Sequence, residues 1–267
     1  MNKIQKEILI KLKKEAKRLG HSPKRREIPW LAEKCYRHFG SFNIAKKKAG
    51  LKIVNVRFSN FPKNAFKLDR DLVTIIAYLT ADGHLYKDLT GFHFYSNNKD
   101  ALEKLEKIIY KKFKLKGIYG EGTGYGKCFR YKVFNKPVTL FLRKTGVPPG
   151  DKMITSFDVP KWIKGNKQFA KEYLKIIFYC EGSKYKHSKN TEQIQINFNK
   201  SEKLLYGGIK FMESLKDMLK KFNIRVTNTW VSKGNIRKKD GEITKQIIFK
   251  IKTADVNTFI NKIGWLK

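Results

Sequence analysis

A pattern of apolar run, acid and glycine occurs twice, as "IIAYLTADG" at residues 75–83 and "LKIIFYCEG" at residues 174–182. The stretches downstream of the two copies are also alike. After Gly83 come "GFHFYSNNKDALEKLEKIIYKKFKLK", an alternating strand and then an amphipathic helix; after Gly182 come "IQINFNKSEKLLYGGIKFMESLKDMLKKFNIR" in the same order. Farther on, "FRYKVFNKPVTLFLRKTG" matches "IIFKIKTADVNTFINKIG", so that Tyr131, Lys132 and Val133 align with Phe249, Lys250 and Ile251, and Gly146 with Gly264. Three blocks in register predict two copies of one α+β unit in a single chain, packed about a pseudo-twofold axis as two subunits of a dimer would be.

Charge then narrows the partner. The 267 residues carry 59 Lys and Arg against 23 Asp and Glu, a net charge of +36, and 41% hydrophobic residues, enough for a sizeable core. Such self-repulsion points to a polyanionic partner, and nucleic acid leads. A membrane is not expected, because the chain contains no run of 18 apolar residues and its basic residues are spread along its length. The three cysteines, Cys35, Cys128 and Cys180, form no CxxC pair, and the opening "MNKIQKEILIKLKKEAK" is too charged for a signal peptide. An intracellular setting, cytoplasmic or organellar, is the expectation.

Residues 1–51 read as a separate helical module. Ile4, Ile8, Leu12 and Leu19 recur at near-helical spacing up to Gly20, and two shorter helical patterns succeed them, divided at Gly40 and Ser41. Residues 1–50 hold 15 basic and 4 acidic side chains, which suits a helix-turn-helix-like unit touching phosphates, although Lys46, Lys47 and Lys48 taken alone fit a solvated helix face. Residues 52–66 read as a linker, residues 67–165 as the first repeat and residues 166–267 as the second.

The two motifs resemble the sequence signature of the LAGLIDADG homing endonucleases, the second copy being the more divergent. The join "LRKTGVPPGDKMITSFDVPKWI" is similar to the linker region of archaeal and intron-encoded members, and "SPKRREIPWLAEKCYRHFGSFNIAKKKAGL" resembles the small DNA-binding repeat attached to homing endonucleases. The resemblance covers residues 67–267 and implies two αββαββα repeats whose sheets form a DNA-binding saddle. It also implies that the motif helices pack together at the centre and deliver one acid each. Ile75, Ile76, Leu79, Ile176 and Ile177 suit that burial, while Ala77, Ala81 and Cys180 permit close approach.

Asp82 and Glu181 would then meet at helix C-termini, where the dipole disfavours anions and like charges repel. A divalent cation resolves both problems; oxygen ligands point to magnesium, with manganese as a substitute, held among Ala81, Asp82, Cys180, Glu181 and Gly182. The implied activity is metal-dependent hydrolysis of one phosphodiester in each DNA strand, which needs no protein nucleophile. The five histidines show no ligand spacing, and His84 is the nearest to a motif. Asn97 and Asn199 stand at matching strand ends, where they either orient water or cap a helix. Lys184, three residues past Glu181, resembles a lysine near the site in the family, and it joins Lys132 and Lys250 as candidates for stabilising transition-state charge.

Specificity is expected from the strands "GFHFYSN", "KCFRYKVFN", "EQIQINFN" and "TKQIIFKIK" lying in the major groove, on a target made asymmetric by the differing halves. "YGEGTGYGK" reads as a hairpin connection. Ile176, and Tyr179 with Cys180, depart from the small residues usual at the family's helix crossing. An RNA maturase acting on intron RNA and a non-catalytic nucleic-acid binder, such as a transcription regulator, therefore stand as alternatives. A monomer is expected. An intein is not, since the chain opens with Met1 and ends "GWLK" without a His-Asn terminus.

Overall fold

The computed structural model describes residues 1–53, 61–122, 128–188 and 191–266, without the side chains of residues 187 and 188. Part of the expected linker, most of the "YGEGTGYGK" connection and the imidazole of His187 lie outside the described residues. The chain forms two compact units, residues 1–59 and residues 60–267.

The first unit holds three helices, α1 (Lys3–Leu19), α2 (Pro29–Phe39) and α3 (Phe42–Lys48). Asn2 opens α1 with a reciprocal capping box to Gln5, and Gly20 and Gly40 close α1 and α2 in the left-handed region at φ 67° and 72°. Ile8, Leu12, Leu31, Cys35 and Ala45 form the core. Two expectations shift. Ile4 lies outside that core and is exposed, and Lys46 leaves the solvated face to donate a 2.9 Å hydrogen bond to the Pro23 carbonyl from a buried position.

In the second unit the repeats run in parallel. The first comprises α4 (Arg70–Thr80), β1 (Gly83–Leu85), β2 (Phe92–Ser96), α5 (Lys99–Phe113), β3 (Ile118–Glu121), β4 (Phe129–Val133) and α6 (Lys136–Lys144). A connection containing the short α7 (Lys161–Gly165) leads to α8 (Lys167–Glu181), β5 (Gly182–Ser188), β6 (Thr191–Ser201), α9 (Leu205–Lys220), β7 (Trp230–Val231), β8 (Asn235–Ile236), β9 (Ile243–Lys250) and α10 (Val256–Lys262). The first sheet is ordered β1-β2-β4-β3 and the second β5-β6-β9-β7, with β8 also on β9. This is an α+β fold of two repeats, αββαββα in the first and the same order with one additional short strand, β8, in the second.

Register makes the equivalence residue by residue. Gly83 pairs with Phe94 and Phe94 with Tyr131; in the second sheet Gly182 pairs with Ile196 and Ile196 with Phe249. Tyr131 and Phe249 therefore occupy one position, as do Lys132 and Lys250 in the next row. The core lies on the helix-covered face of each sheet, with Leu85, Phe92, Phe94, Tyr131 and Val133 in the first and Ile194, Ile196, Ile247, Phe249 and Ile251 in the second. Strand alternation puts the residues between them on the opposite face.

The motif helices α4 and α8 pack side by side at the centre of the unit. Asp69 caps α4 and Asn166 caps α8, each accepting backbone N–H bonds from the first turn. Ile75, Ile76, Ala77, Leu79, Ile176 and Ile177 are all buried, so the bulk of Ile176 is accommodated. Where the helices approach, Glu172 accepts from Thr74 Oγ1 at 3.0 Å and from Arg70 Nε at 2.8 Å, which satisfies a carboxylate that is otherwise buried.

Candidate active site and nucleic-acid face

Both motif helices end by turning straight into the first strand of their sheet, and that turn explains the acid-glycine pairs. A Cβ on Gly83 would stand 2.8 Å from Leu79 Cα, and one on Gly182 would stand 2.4 Å from the Phe178 carbonyl oxygen. Each glycine lies four residues after the group it would strike, so the same tight reversal is built twice. The residue before each glycine, Asp82 or Glu181, is carried to the end of its helix.

The two acids converge on a third group. Lys152, from the connection between the repeats, donates from Nζ to the carbonyls of Leu79 at 3.3 Å and Gly83 at 2.8 Å and also to Ala81. Burial pushes the Lys152 ammonium down from the ordinary lysine range, while Glu181 first and Asp82 second favour its charged form. Cys180 hydrogen-bonds the Asp82 carboxylate; its thiol is held well above the usual range by burial and then by that carboxylate. The rings of Tyr78 and Tyr179 meet edge to face at 6.2 Å across the same crossing. Asp82, Ala81, Cys180, Glu181 and Gly182 thus gather at one place, with a cation already among them.

Behind it, Lys200 donates to the carbonyls of Lys152 and Thr155 and lies 3.9 Å from the centre of the Phe157 ring. Burial and the neighbouring Lys152 push its ammonium down to about 8.

The remaining candidates fall in different places. Lys132 and Lys250 lie one row from the motif glycines, two strands across, on the face away from the helices. Lys250 Nζ sits 5.7 Å from the Tyr185 ring and 5.6 Å from Trp230. Lys184 faces the other way, because it pairs with the core residue Ile194, and its ammonium is bridged to Glu192 at 3.1 Å. Asn97 comes just after β2 and Asn199 lies in β6, each three residues past the partner of the motif glycine, or about 10 Å along the strand. Asn98, not Asn97, caps α5. Extending the pairing one residue sets Tyr95 level with Asp82 and Asn197 level with Glu181, two residues that spacing alone does not single out.

The faces turned away from the helices differ in chemistry. The first sheet presents His84, His93, Tyr95, Arg130 and Lys132. His84 and His93 stack at 5.1 Å, and Tyr95 meets His93 at 4.7 Å. Burial pushes His93 down to about 4, with His84, Arg130, Lys132 and Lys152 adding repulsion, so its imidazole is neutral at pH 7. The second sheet presents Ser183, Tyr185, Gln195, Asn197, Asn199, Gln246 and Lys250.

A divalent cation fits the donors at the helix ends. Asp82 is exposed and Glu181 half-buried, and two carboxylates with water and phosphate oxygens completing the shell suit magnesium or manganese. Among the described residues no three His, Cys, Asp or Glu side chains cluster tightly enough to form an all-protein site. Nor does any helix among them have the length and apolarity to cross a membrane.

Parts of the chain are similar to known proteins. Residues 5–52 match the homing endonuclease associated repeat. Among curated proteins the chain is 25% identical over 202 residues to the replication factor C small subunit of Methanocaldococcus jannaschii, covering 72% of this chain and 11% of that one. It is 30% identical over 144 residues to the RNA polymerase subunit Rpo1N of the same organism, covering 52% of this chain and 10% of that one. The chain thus spans about a tenth of the length of these relatives. Among solved structures it is similar to LAGLIDADG homing endonucleases. I-DmoI in complex with DNA and Mn is 14% identical, with 73% of this chain and 99% of that one covered and a TM-score of 0.43. I-WcaI bound to its DNA recognition sequence is 14% identical, with 80% and 95% covered and a TM-score of 0.46.

Proposed function

We propose, from the match of residues 5–52 to the homing endonuclease associated repeat and the paired acids of the second unit, that this chain is a site-specific DNA endonuclease. In this reading it cuts both strands of a long, asymmetric duplex with the help of a divalent cation. The observation that carries the proposal is the arrival of Asp82 and Glu181, from equivalent positions of two repeats, around one ammonium at the ends of α4 and α8. Relatives with unrelated names, each matched over about a tenth of its length, are what a portable element lodged in different hosts would produce.

Asp82 and Glu181 would hold the ion, which when bound would acidify a water and stabilise the leaving 3′ oxygen. The strand faces fix the duplex so that its phosphates lie over the helix ends. Lys132 and Lys250 carry positive charge to equivalent positions beside the backbone, one for each strand. Lys152 offsets the repulsion between the acids before DNA arrives and anchors the backbone carbonyls that set the direction of Asp82.

Asp82→Asn and Glu181→Gln should abolish magnesium-dependent double-strand cutting in a library of long duplexes while retaining DNA binding. Undiminished cutting by both variants would remove the assignment. One observation favours a second reading, a nucleic-acid binder or intron RNA maturase without cleavage: Lys152 already supplies a cation to the acid pair and occupies the Ala81 carbonyl. A protein of that kind would bind nucleic acid, or accelerate splicing of its intron, equally well with either acid replaced.

A further inference from the structure

The outward faces of the two sheets differ in a way that specifies base chemistry as well as asymmetry. Strands β1 to β4 contain no Asn or Gln, whereas β5 to β9 contain Gln193, Gln195, Asn197, Asn199, Asn235 and Gln246. Gln193 is buried and accepts from Thr253 Oγ1, and Gln195 accepts from the Tyr185 hydroxyl at 3.3 Å. Asn197, Asn199 and Gln246 have no side-chain hydrogen bond among the described residues. Their positions are fixed: Asn199 and Gln246 are direct cross-strand partners, and Asn197 is two residues from Asn199 on the same face.

The first sheet carries a cation where the second has an apolar side chain. Arg130, the counterpart of Ile248, forms no ion pair among the described residues, and its Nε is buried without a partner.

Solvent-accessible amides without a protein partner on a sheet face match one ligand well. An Asn or Gln side chain donates to and accepts from adenine N6 and N7 together, whereas Arg or Lys suits guanine O6 and N7. Same-face neighbours on a strand are about 6.8 Å apart, roughly two base-pair steps of 3.4 Å. We infer that the half of the target under the second sheet is read as adenines facing Asn197, Asn199 and Gln246. The half under the first sheet is read as guanine facing Arg130. This rests on the DNA-cutting reading and adds the base composition of each half.

The test is selection of the full chain, in EDTA so that nothing is cut, on a pool of randomised duplexes, with sequencing of the retained DNA. The expected consensus has adenines two steps apart in one half and a guanine in the other. Asn199→Ala should reduce the preference at one adenine position by about tenfold or more and leave the other half unchanged. Asn199→Arg should convert that position to guanine, a gain that a merely misfolded variant cannot give. Retained DNA without positional bias, or an Asn199→Ala profile that weakens evenly at every position, overturns the base assignment while DNA binding stands. Retention of no DNA overturns both.

Discussion

A methyl group at position 182 has nowhere to go, since the Phe178 carbonyl oxygen stands 2.4 Å from where it would be. Gly182 has a negative φ of −83°, so the demand comes from the close approach of strand to helix rather than from backbone strain. Gly182→Ala should therefore cost about 1 to 3 kcal/mol, measured by urea unfolding; a cost near zero would mean that the turn relaxes freely.

His93 gives a second measurement at this scale. The unfolded chain takes up a proton at this side chain below about 6.5, the folded one only below about 4, because burial and the facing His84, Arg130, Lys132 and Lys152 oppose the imidazolium. Stability should consequently fall as pH drops from 6.5 towards 4, and His93→Phe should flatten that part of the profile. An NMR titration of His93 with a midpoint near 6.5 would contradict this. The acids and glycines are legible in the sequence because they recur at fixed spacing. Lys152 is not: one lysine in a chain with 59 basic residues carries no signal until the connection is seen folding back onto α4.

Between the central helices, the Glu172 carboxylate is a polar fastening in a largely apolar contact. Removing it by Glu172→Ala leaves the Thr74 hydroxyl and the Arg70 guanidinium without their partner. The expected loss is about 1 to 3 kcal/mol in chemical denaturation, and an unchanged midpoint would show that water replaces the carboxylate at no cost. Sequence periodicity outlines both helices and the principal strands, since apolar positions alternate or recur at helical spacing. It does not assign Lys184. The position of this lysine in the chain suggests the site, but pairing with Ile194 turns it to the opposite face, and a one-residue change of register reverses every side chain.

At the scale of the molecule, charge and topology act together. A net charge of +36 and sheet faces bearing Arg130, Lys132 and Lys250 should make duplex affinity strongly salt-dependent. If six to ten phosphates are contacted, affinity falls about 10³- to 10⁵-fold between 50 and 200 mM salt, measurable by fluorescence anisotropy. A flat salt profile would argue against phosphate contact. Duplication makes the whole-molecule plan readable from sequence, whereas how the repeats are fastened together depends on contacts distant along the chain.

That fastening gives the segment joining the repeats a duty beyond covering distance. Lys152 grips the first repeat, Lys200 and Ser201 of the second hold the carbonyls of Lys152 and Met153, and Arg237 clasps Asp151 at 2.7 Å. Its span is therefore a measured spacer. Three residues inserted just before Asp151 should leave each repeat folded yet blunt cleavage, whereas the same insertion would pass unnoticed in a slack tether.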